Sequence, residues 1–516
     1  MSHETSPEAE SWTERVRRLL LLQRETRQAP DTSLELDLAD MQGLLAHGYV
    51  HMHAACFLLL HIDRERLGAF KTWLGAQLPD VTSSRFRKDA SRDPYSMNLA
   101  FTSAGLEALG LGPELKTFPY EFRKGMASRA RHLGDVDADA PEHWDFGGPD
   151  APRPVHLMLM LYARTRQRLE PLVARQRAGL EEGGLSEVHA EWGSHLQDDK
   201  GYFLEHFGFR DALSQPRIRG LTELHPPPAH ADYDAPIEPG EFILGYPNEY
   251  GEEPSTPWVP RERDVGDWLH PVRTSADGVD RSRKDLGRNG TYLVMRKLEQ
   301  HVEDFHAFFR DYVRAHPDVV PGETEEARAE WLEAKLIGRW KNGDPLRPGE
   351  DTPPADDGLI PNDFLYIGKD ARHPVDPHGY GCPVTSHVRR SNPRDSLHPN
   401  PGLSLKMSRR HRLLRRGLPY VERKEGKEHK GLLFLALNTD LARQFEFVQR
   451  SWVGSAKFGD LYDERDPVAG GPGKMTVPRE PVRLCIPDLQ RFVTVRGGEY
   501  FFLPSLRALE FLADLP

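Results

Sequence analysis

Apolar and polar positions follow two different periods along the chain, and each change of period marks an element. The apolar run Cys56–Leu60 lies inside a strand predicted over Val50–Ile62. Directly after it, Leu67, Phe70, Trp73, Leu74 and Leu78 recur at helical spacing and predict a helix with one buried face. Met97–Phe101 predicts a strand, and Thr102 is placed to cap a short helix ending before Gly110. Val155–Tyr162 predicts a third strand, running into a long helix rich in Arg and Leu. The second half has the same grammar. Gly290–Leu298 predicts a strand, followed by a helix carrying Val302, Phe305, Phe309 and Tyr312. Gly431–Leu437 predicts a strongly apolar strand, followed by a helix with Leu441, Phe445, Val448 and Trp452 on one face. Phe492–Leu503 reads as a hairpin turning at Arg496-Gly497-Gly498, and Pro504-Ser505 opens a terminal helix with Leu506, Leu509 and Leu512 inward.

The strand–helix units of the two halves are separated by Pro/Gly-rich stretches at roughly 225–288 and 343–383. Loops of that length inside a domain are functional or linking as a rule. The pattern predicts two α+β sandwiches, each an antiparallel or mixed sheet with helices on one face. At 516 residues, 38% of them hydrophobic, the chain can bury a cofactor-sized cavity. Its net charge of −11, from 68 basic and 79 acidic residues, offers nucleic acid or anionic membrane no general attraction. One local exception is the basic run Arg409-Arg410-His411-Arg412 with Arg415-Arg416, interleaved with Leu413 and Leu414, which leaves room for an anionic ligand. Cys56, Cys382 and Cys485 are far apart and form no CxxC pair, which excludes a disulfide framework or a structural zinc site. No signal-type N-terminus and no 18-residue apolar window occur, so the expected location is cytoplasmic, without a membrane span.

Most chemical candidates are weak by spacing alone. His51 and His53 share a strand face but lack a third ligand at a telling distance. The segment Gly470–Thr476 lacks the leading Gly of a phosphate loop and has Met475 where Ser or Thr should follow Lys474. No G-x-S-x-G elbow is present. The segment His206–Pro216, HFGFRDALSQP, sets Asp211 after an aromatic-rich strand end and before a turn-like Ser-Gln-Pro. On spacing alone a lone Asp there is a turn or cap residue.

Six blocks in one order change that reading. Gly208-Phe209-Arg210-Asp211 with its Ser-Gln-Pro sequel resembles the G-x-x-D-G motif of dye-decolourising haem peroxidases. Pro239–Glu249 resembles the family's P-G-E-F-x-L-G-Y loop, and Asn289–Val294 the strand opening its haem domain. Ser386-His387-Val388-Arg389-Arg390-Ser391-Asn392-Pro393-Arg394 resembles the S-H-I-R-x-x-N-P-R block. Arg415–Tyr420 resembles R-R-G-x-P-Y, and Gly431–Phe434 resembles G-L-L-F. The resemblance runs from about residue 40 to the end.

The resemblance implies two ferredoxin-like domains with peripheral helices, over 41–230 and 289–516. It makes 1–40 an N-terminal extension and 231–288 Pro/Gly-rich connecting loops. It implies one haem b per chain, held in the C-terminal domain with His387 as proximal iron ligand and Asp466 behind the other ring nitrogen. Asp211 would be the distal acid–base group and Arg415 the distal cation, with Leu432 and Phe434 walling the pocket. Arg389, Arg390 and Arg394 are candidate partners for the haem propionates. The implied reaction reduces hydrogen peroxide and oxidises phenolic or anthraquinone-dye-like donors in one-electron steps; homo-oligomerisation stays open. Ala212 departs from the motif, standing where the second Gly belongs. If that position needs positive φ, the methyl is costly, and a weakly active or non-catalytic haem-binding protein is the alternative.

Overall fold

The computed structural model describes residues 35–85, 94–221, 235–274, 278–355, 362, 364–368 and 375–516. The expected N-terminal extension up to residue 34, and parts of both Pro/Gly-rich stretches, lie outside the described residues. Nine strands form one antiparallel sheet: β1 Ala54–Ile62, β2 Tyr95–Phe101, β3 Leu157–Ala163, β4 Leu185–Ser194, β5 Thr291–Gln300, β6 Leu414–Arg415, β7 Leu418–Lys424, β8 Lys427–Asn438 and β9 Val493–Leu503. Their order is β6-β8-β5-β9-β2-β3-β1-β4, with β7 also paired to β8. The N-terminal half supplies β2-β3-β1-β4 and the C-terminal half supplies the rest. These are the two ferredoxin-like halves, and they meet at one pair, Phe101 opposite Phe502. Asp37–Pro516 is a single compact unit.

The strands with unbroken apolar runs are those covered on both faces. All seven residues of β3 are buried, and eight of the nine in β1. Helix α1 (Leu67–Gln77) turns Phe70, Trp73 and Leu74 into that core, and α2 (Arg166–Ala178) adds Leu169, Leu172 and Val173. The short helix Ser103–Leu106 starts at Thr102, whose hydroxyl accepts the Gly105 N–H at 3.0 Å. The sheet curves so that β4 approaches β7; a Cβ on Gly193 would lie 3.0 Å from Leu418 Cβ.

A second core lies in the C-terminal half and positions the site. Helices α3 (Val302–Ala315) and α4 (Glu325–Ile337) bury Phe305, Phe309, Trp331 and Leu332 there, together with Phe207 and Phe209 from the segment before Asp211. The Phe207 and Phe305 rings stack at 4.2 Å. The N-terminal motif is thereby fastened to the C-terminal half.

Two local expectations need correction. Residues 493–503 are one straight-through strand, not a hairpin. Gly497 and Gly498 sit where β5 and β9 change register between Lys297 and Leu298. A Cβ would lie 2.6 Å from the Phe146 ring at Gly497 and 2.4 Å from Met126 Sδ at Gly498, so close packing selects the glycines. The helix expected after β8 is wound as two π-type turns, Ala442–Glu446 and Val448–Val453. The Gly470–Thr476 segment enters the strand Gly473–Val477, which pairs with Leu484–Leu489.

Candidate active site

Helix α5 (His387–Ser391) is a single turn whose first residue is His387. Its Nδ1 lies 2.9 Å from Asp466 Oδ2, and Asp466 Oδ1 accepts the N–H groups of Val468 and Ala469, both at 2.9 Å. Asp466 is fully buried, which opposes ionisation, but the His387 charge and hydrogen bond hold its carboxyl below the usual range. For His387 burial lowers the proton affinity, and the Asp466 carboxylate more than reverses this. Nε2 makes no hydrogen bond to the described residues, and the ring is 35% exposed while Arg389 and Arg390 beside it are buried. The imidazole thus has a fixed inner nitrogen and a free outer one.

Asp211 ends a tight turn. Its N–H donates to Phe203 O at 2.8 Å, and Arg210 N–H donates to Lys341 O at 3.1 Å in the C-terminal half. Glu205 accepts the Phe209 and Phe207 N–H groups at 2.9 and 3.0 Å and Gln300 Nε2 at 2.6 Å. Burial pushes the Glu205 carboxyl up to about 7, partly offset by these donors, with Asp211 adding to the rise. After Asp211 the chain takes two left-handed residues, Ala212 (φ +61°) and Ser214 (φ +60°). Arginines from the C-terminal half clamp them: Arg415 Nη2 donates to Leu213 O at 2.6 Å and Arg412 Nη2 to Ser214 O at 2.8 Å. Arg415 N–H donates to Gln215 Oε1 at 3.1 Å.

Pleat geometry sorts the remaining candidates. Arg415 pairs with Ala436, so it shares a sheet face with Phe434 and Leu432, two and four residues back along β8. Both are half-buried, while Leu433 and Leu435 between and after them are fully buried on the other face. Arg416 points the opposite way and donates to Leu44 O and Leu45 O at 2.9 and 3.0 Å; burial brings it down to about 10. Arg415 and Glu205 both lie within electrostatic reach of His387, and Asp211 within reach of Glu205 and His195.

Arg389 and Arg390 differ from expectation. Arg389 donates to Cys382 O at 2.7 Å and Asp376 O at 2.9 Å, and its guanidinium lies 4.2 Å from the Tyr366 ring centroid. Arg390 donates to the carbonyls of Trp452, Glu464 and Ser455. Their donors serve loop carbonyls around α5 and, for Arg389, the Asp376 carboxylate at 3.4 Å, so both brace the helix. Arg394 donates to Asn362 O and Phe364 O, both at 2.6 Å, and reaches Ser214 Oγ at 3.4 Å. It therefore bridges the His387 side and the Asp211 loop.

The rest of the basic run is also committed locally. Arg409 pairs with Glu249 at 2.9 Å, and Arg410 lies over the Tyr250 ring at 3.7 Å. His53 faces His195 and Phe203, with ring centroids 6.1 and 6.3 Å away. Among the described residues the one three-ligand cluster is Asp37, Asp40 and His270. There the Asp40 oxygens already accept Asn289 Nδ2 and Arg507 N–H, which gives Asp40 a structural task. Sequence reasoning missed Glu205 and Gln300, and it saw Arg412 only as part of a basic run. Glu205 left one trace, a carboxylate in an otherwise aromatic stretch.

The donor set fits a haem iron: one imidazole nitrogen free, the other on a buried carboxylate, with the acidic Asp211 on a separate loop and the cationic Arg415 of β6 bonded to that loop. Comparison with known proteins agrees. Residues 278–471 match the family model described as Dyp-type peroxidase, C-terminal. A multifunctional dye peroxidase of an Amycolatopsis species is 30% identical over 458 residues, 84% of this chain and 85% of that protein. A dye-decolorizing peroxidase of Mycena epipterygia is 27% identical over 92% of this chain and 88% of its own length. Among solved structures, the Anabaena DyP-type peroxidase covers 95% of this chain and 99% of its own, with a TM-score of 0.73 at 24% identity. The Auricularia auricula-judae DyP-type peroxidase covers 93% and 100%, with a TM-score of 0.71 at 24% identity. Sequence likeness across most of both chains, with the same fold, places this chain in the DyP-type peroxidase family, and it is a peroxidase.

Proposed function

We propose that the chain binds one haem b, with His387 Nε2 on the iron, and uses hydrogen peroxide to oxidise phenolic or anthraquinone-dye-like donors one electron at a time. The observation that carries this is the His387 ring, fixed at Nδ1 by Asp466 at 2.9 Å and free at Nε2. When bound, the haem supplies the redox centre on which peroxide is reduced. The N-terminal domain (41–230) supplies Asp211, and the C-terminal domain (289–516) supplies His387 and Arg415. Asp211 takes a proton from one peroxide oxygen and returns it to the departing one. Arg415 keeps its charge throughout, so it stabilises negative charge that develops there while also fixing the loop through Leu213 O. Leu432 and Phe434 limit water, and Asp466 keeps the ligand imidazole oriented and basic. Of the three candidate arginines, Arg394 alone also reaches the Asp211 loop, at Ser214 Oγ, and this favours it as the propionate partner.

The second reading, a weakly active haem-binding protein, has one observation in its favour: Ala212 adopts φ +61°, a conformation that suits glycine. A peroxide-dependent dye assay on the haem-loaded chain separates them. The peroxidase reading expects bleaching that Asp211→Asn abolishes. Bleaching unchanged in Asp211→Asn refutes the acid–base role.

A further inference from the structure

Glu205 lies six residues before Asp211, and its carboxylate gathers three donors from two parts of the fold. Oε1 accepts Phe209 N–H at 2.9 Å; Oε2 accepts Phe207 N–H at 3.0 Å and Gln300 Nε2 at 2.6 Å. The first two belong to the turn that delivers Asp211. Gln300 is the last residue of β5, in the other half of the molecule. Backbone bonds close the same turn: Glu205 N–H to Phe209 O and Gly208 N–H to Glu205 O, each 3.0 Å, and Asp211 N–H to Phe203 O at 2.8 Å. Glu205 is thus bonded both to the Asp211 turn and to β5. Two acceptor oxygens suit these donors, because an amide at this place would turn an NH2 group onto at least one N–H donor.

We infer that Glu205 is a positioning residue of the peroxide reaction, setting where the Asp211 carboxylate sits by tying the Phe207–Phe209 turn to Gln300 of β5. This rests on Asp211 being the acid–base group. Glu205 touches no reacting atom; it acts through Asp211. A displacement of about 1 Å in a proton-transfer group costs up to ~100-fold in rate.

The test uses haem-loaded protein carrying Glu205→Leu, Glu205→Gln, Gln300→Leu or Asp211→Asn. Two readouts are taken: the crystal structure of each variant, and the rate constants for peroxide and for the dye donor, each per bound haem. Glu205→Leu is expected to shift the Asp211 carboxylate by about 1 Å and slow the peroxide step about 10–100-fold, leaving the donor step within twofold. Gln300→Leu, which removes one donor only and keeps the fold if Glu205→Leu does not, is expected to give a smaller change of the same kind. Asp211 unmoved and the peroxide step unchanged in the folded Glu205 and Gln300 variants would overturn the inference. So would equal loss in both steps, which marks a general structural brace. An unchanged rate in Asp211→Asn defeats the acid–base reading instead, while the position of Asp211 in the Glu205→Leu crystal still reports whether Glu205 sets it.

Discussion

Replacing Ala212 by glycine tests the loop that carries Asp211. Ala212 has φ +61° and an exposed methyl group, so its cost lies in the backbone and not in a clash with the protein. A left-handed conformation costs an L-residue about 1–2 kcal/mol. Glycine removes that cost but gives the unfolded chain more freedom, worth about 0.4–1 kcal/mol. The net expectation is a stabilisation of about 0.5–1 kcal/mol. It should appear as a higher urea midpoint at unchanged slope, compared at equal haem loading. The same strain bounds the kinetic effect. Even if all of ~1–2 kcal/mol were expressed as misplacement of Asp211, relief could speed the peroxide step by only about 5–30-fold. A gain within that range is expected, because Arg415 and Arg412 hold the neighbouring carbonyls of Leu213 and Ser214 in place. A glycine variant of equal or lower stability refutes the strain argument. A gain well above 30-fold shows that the methyl obstructs the site itself and favours the weakly active reading of the natural chain.

Asp466→Asn keeps the shape but removes the charge behind His387, and a haem titration should show affinity about 10–100-fold weaker. Arg415→Leu leaves Leu213 O without its donor and removes the distal cation; stopped-flow mixing with peroxide should show a rate about 100-fold lower. Gly497→Ala sets a methyl where only 2.6 Å separates its Cβ from the Phe146 ring, so denaturation should show a loss of about 1–3 kcal/mol, partly recovered with Phe146→Leu. His156 accepts Ile62 N–H at 3.0 Å, and burial brings it down to about 4, below its ordinary unfolded value. The folded state therefore binds fewer protons between those values, and stability on the order of 3 kcal/mol, present above about pH 6.5, is lost as pH falls towards 4. His156→Asn keeps the acceptor without titrating, so its stability profile should be flatter across that window.

Elements with unbroken apolar runs were legible; β1 and β3, buried on both faces, and β8, buried on one face over its apolar run, sit within a few residues of their expected ends. Caps at Thr102 and Ser505 were legible because the hydroxyl and the following helix are local. Strand β4 was missed because its exposure is mixed and Glu187, His189 and Glu191 interrupt any apolar run. Gly497-Gly498 reads as a turn from composition, whereas the rings and sulfur that demand glycine come from distant residues. The site divides in the same way. Motif order pointed to Asp211, His387 and Arg415, but no spacing rule could find Glu205 with Gln300, which are 95 residues apart. Arg389 and Arg390 show the opposite failure, since charge beside a ligand histidine suggests an anion, and loop carbonyls up to 74 residues away take those donors.

His387 is proposed to hold a haem iron with Asp466 behind it. Titrating the purified apoprotein with haem and following the Soret band tests it most directly. The expected result is a band that saturates at one haem per chain and is lost or strongly shifted in His387→Ala. A wild-type chain without a Soret band, or a band unchanged by His387→Ala, contradicts it.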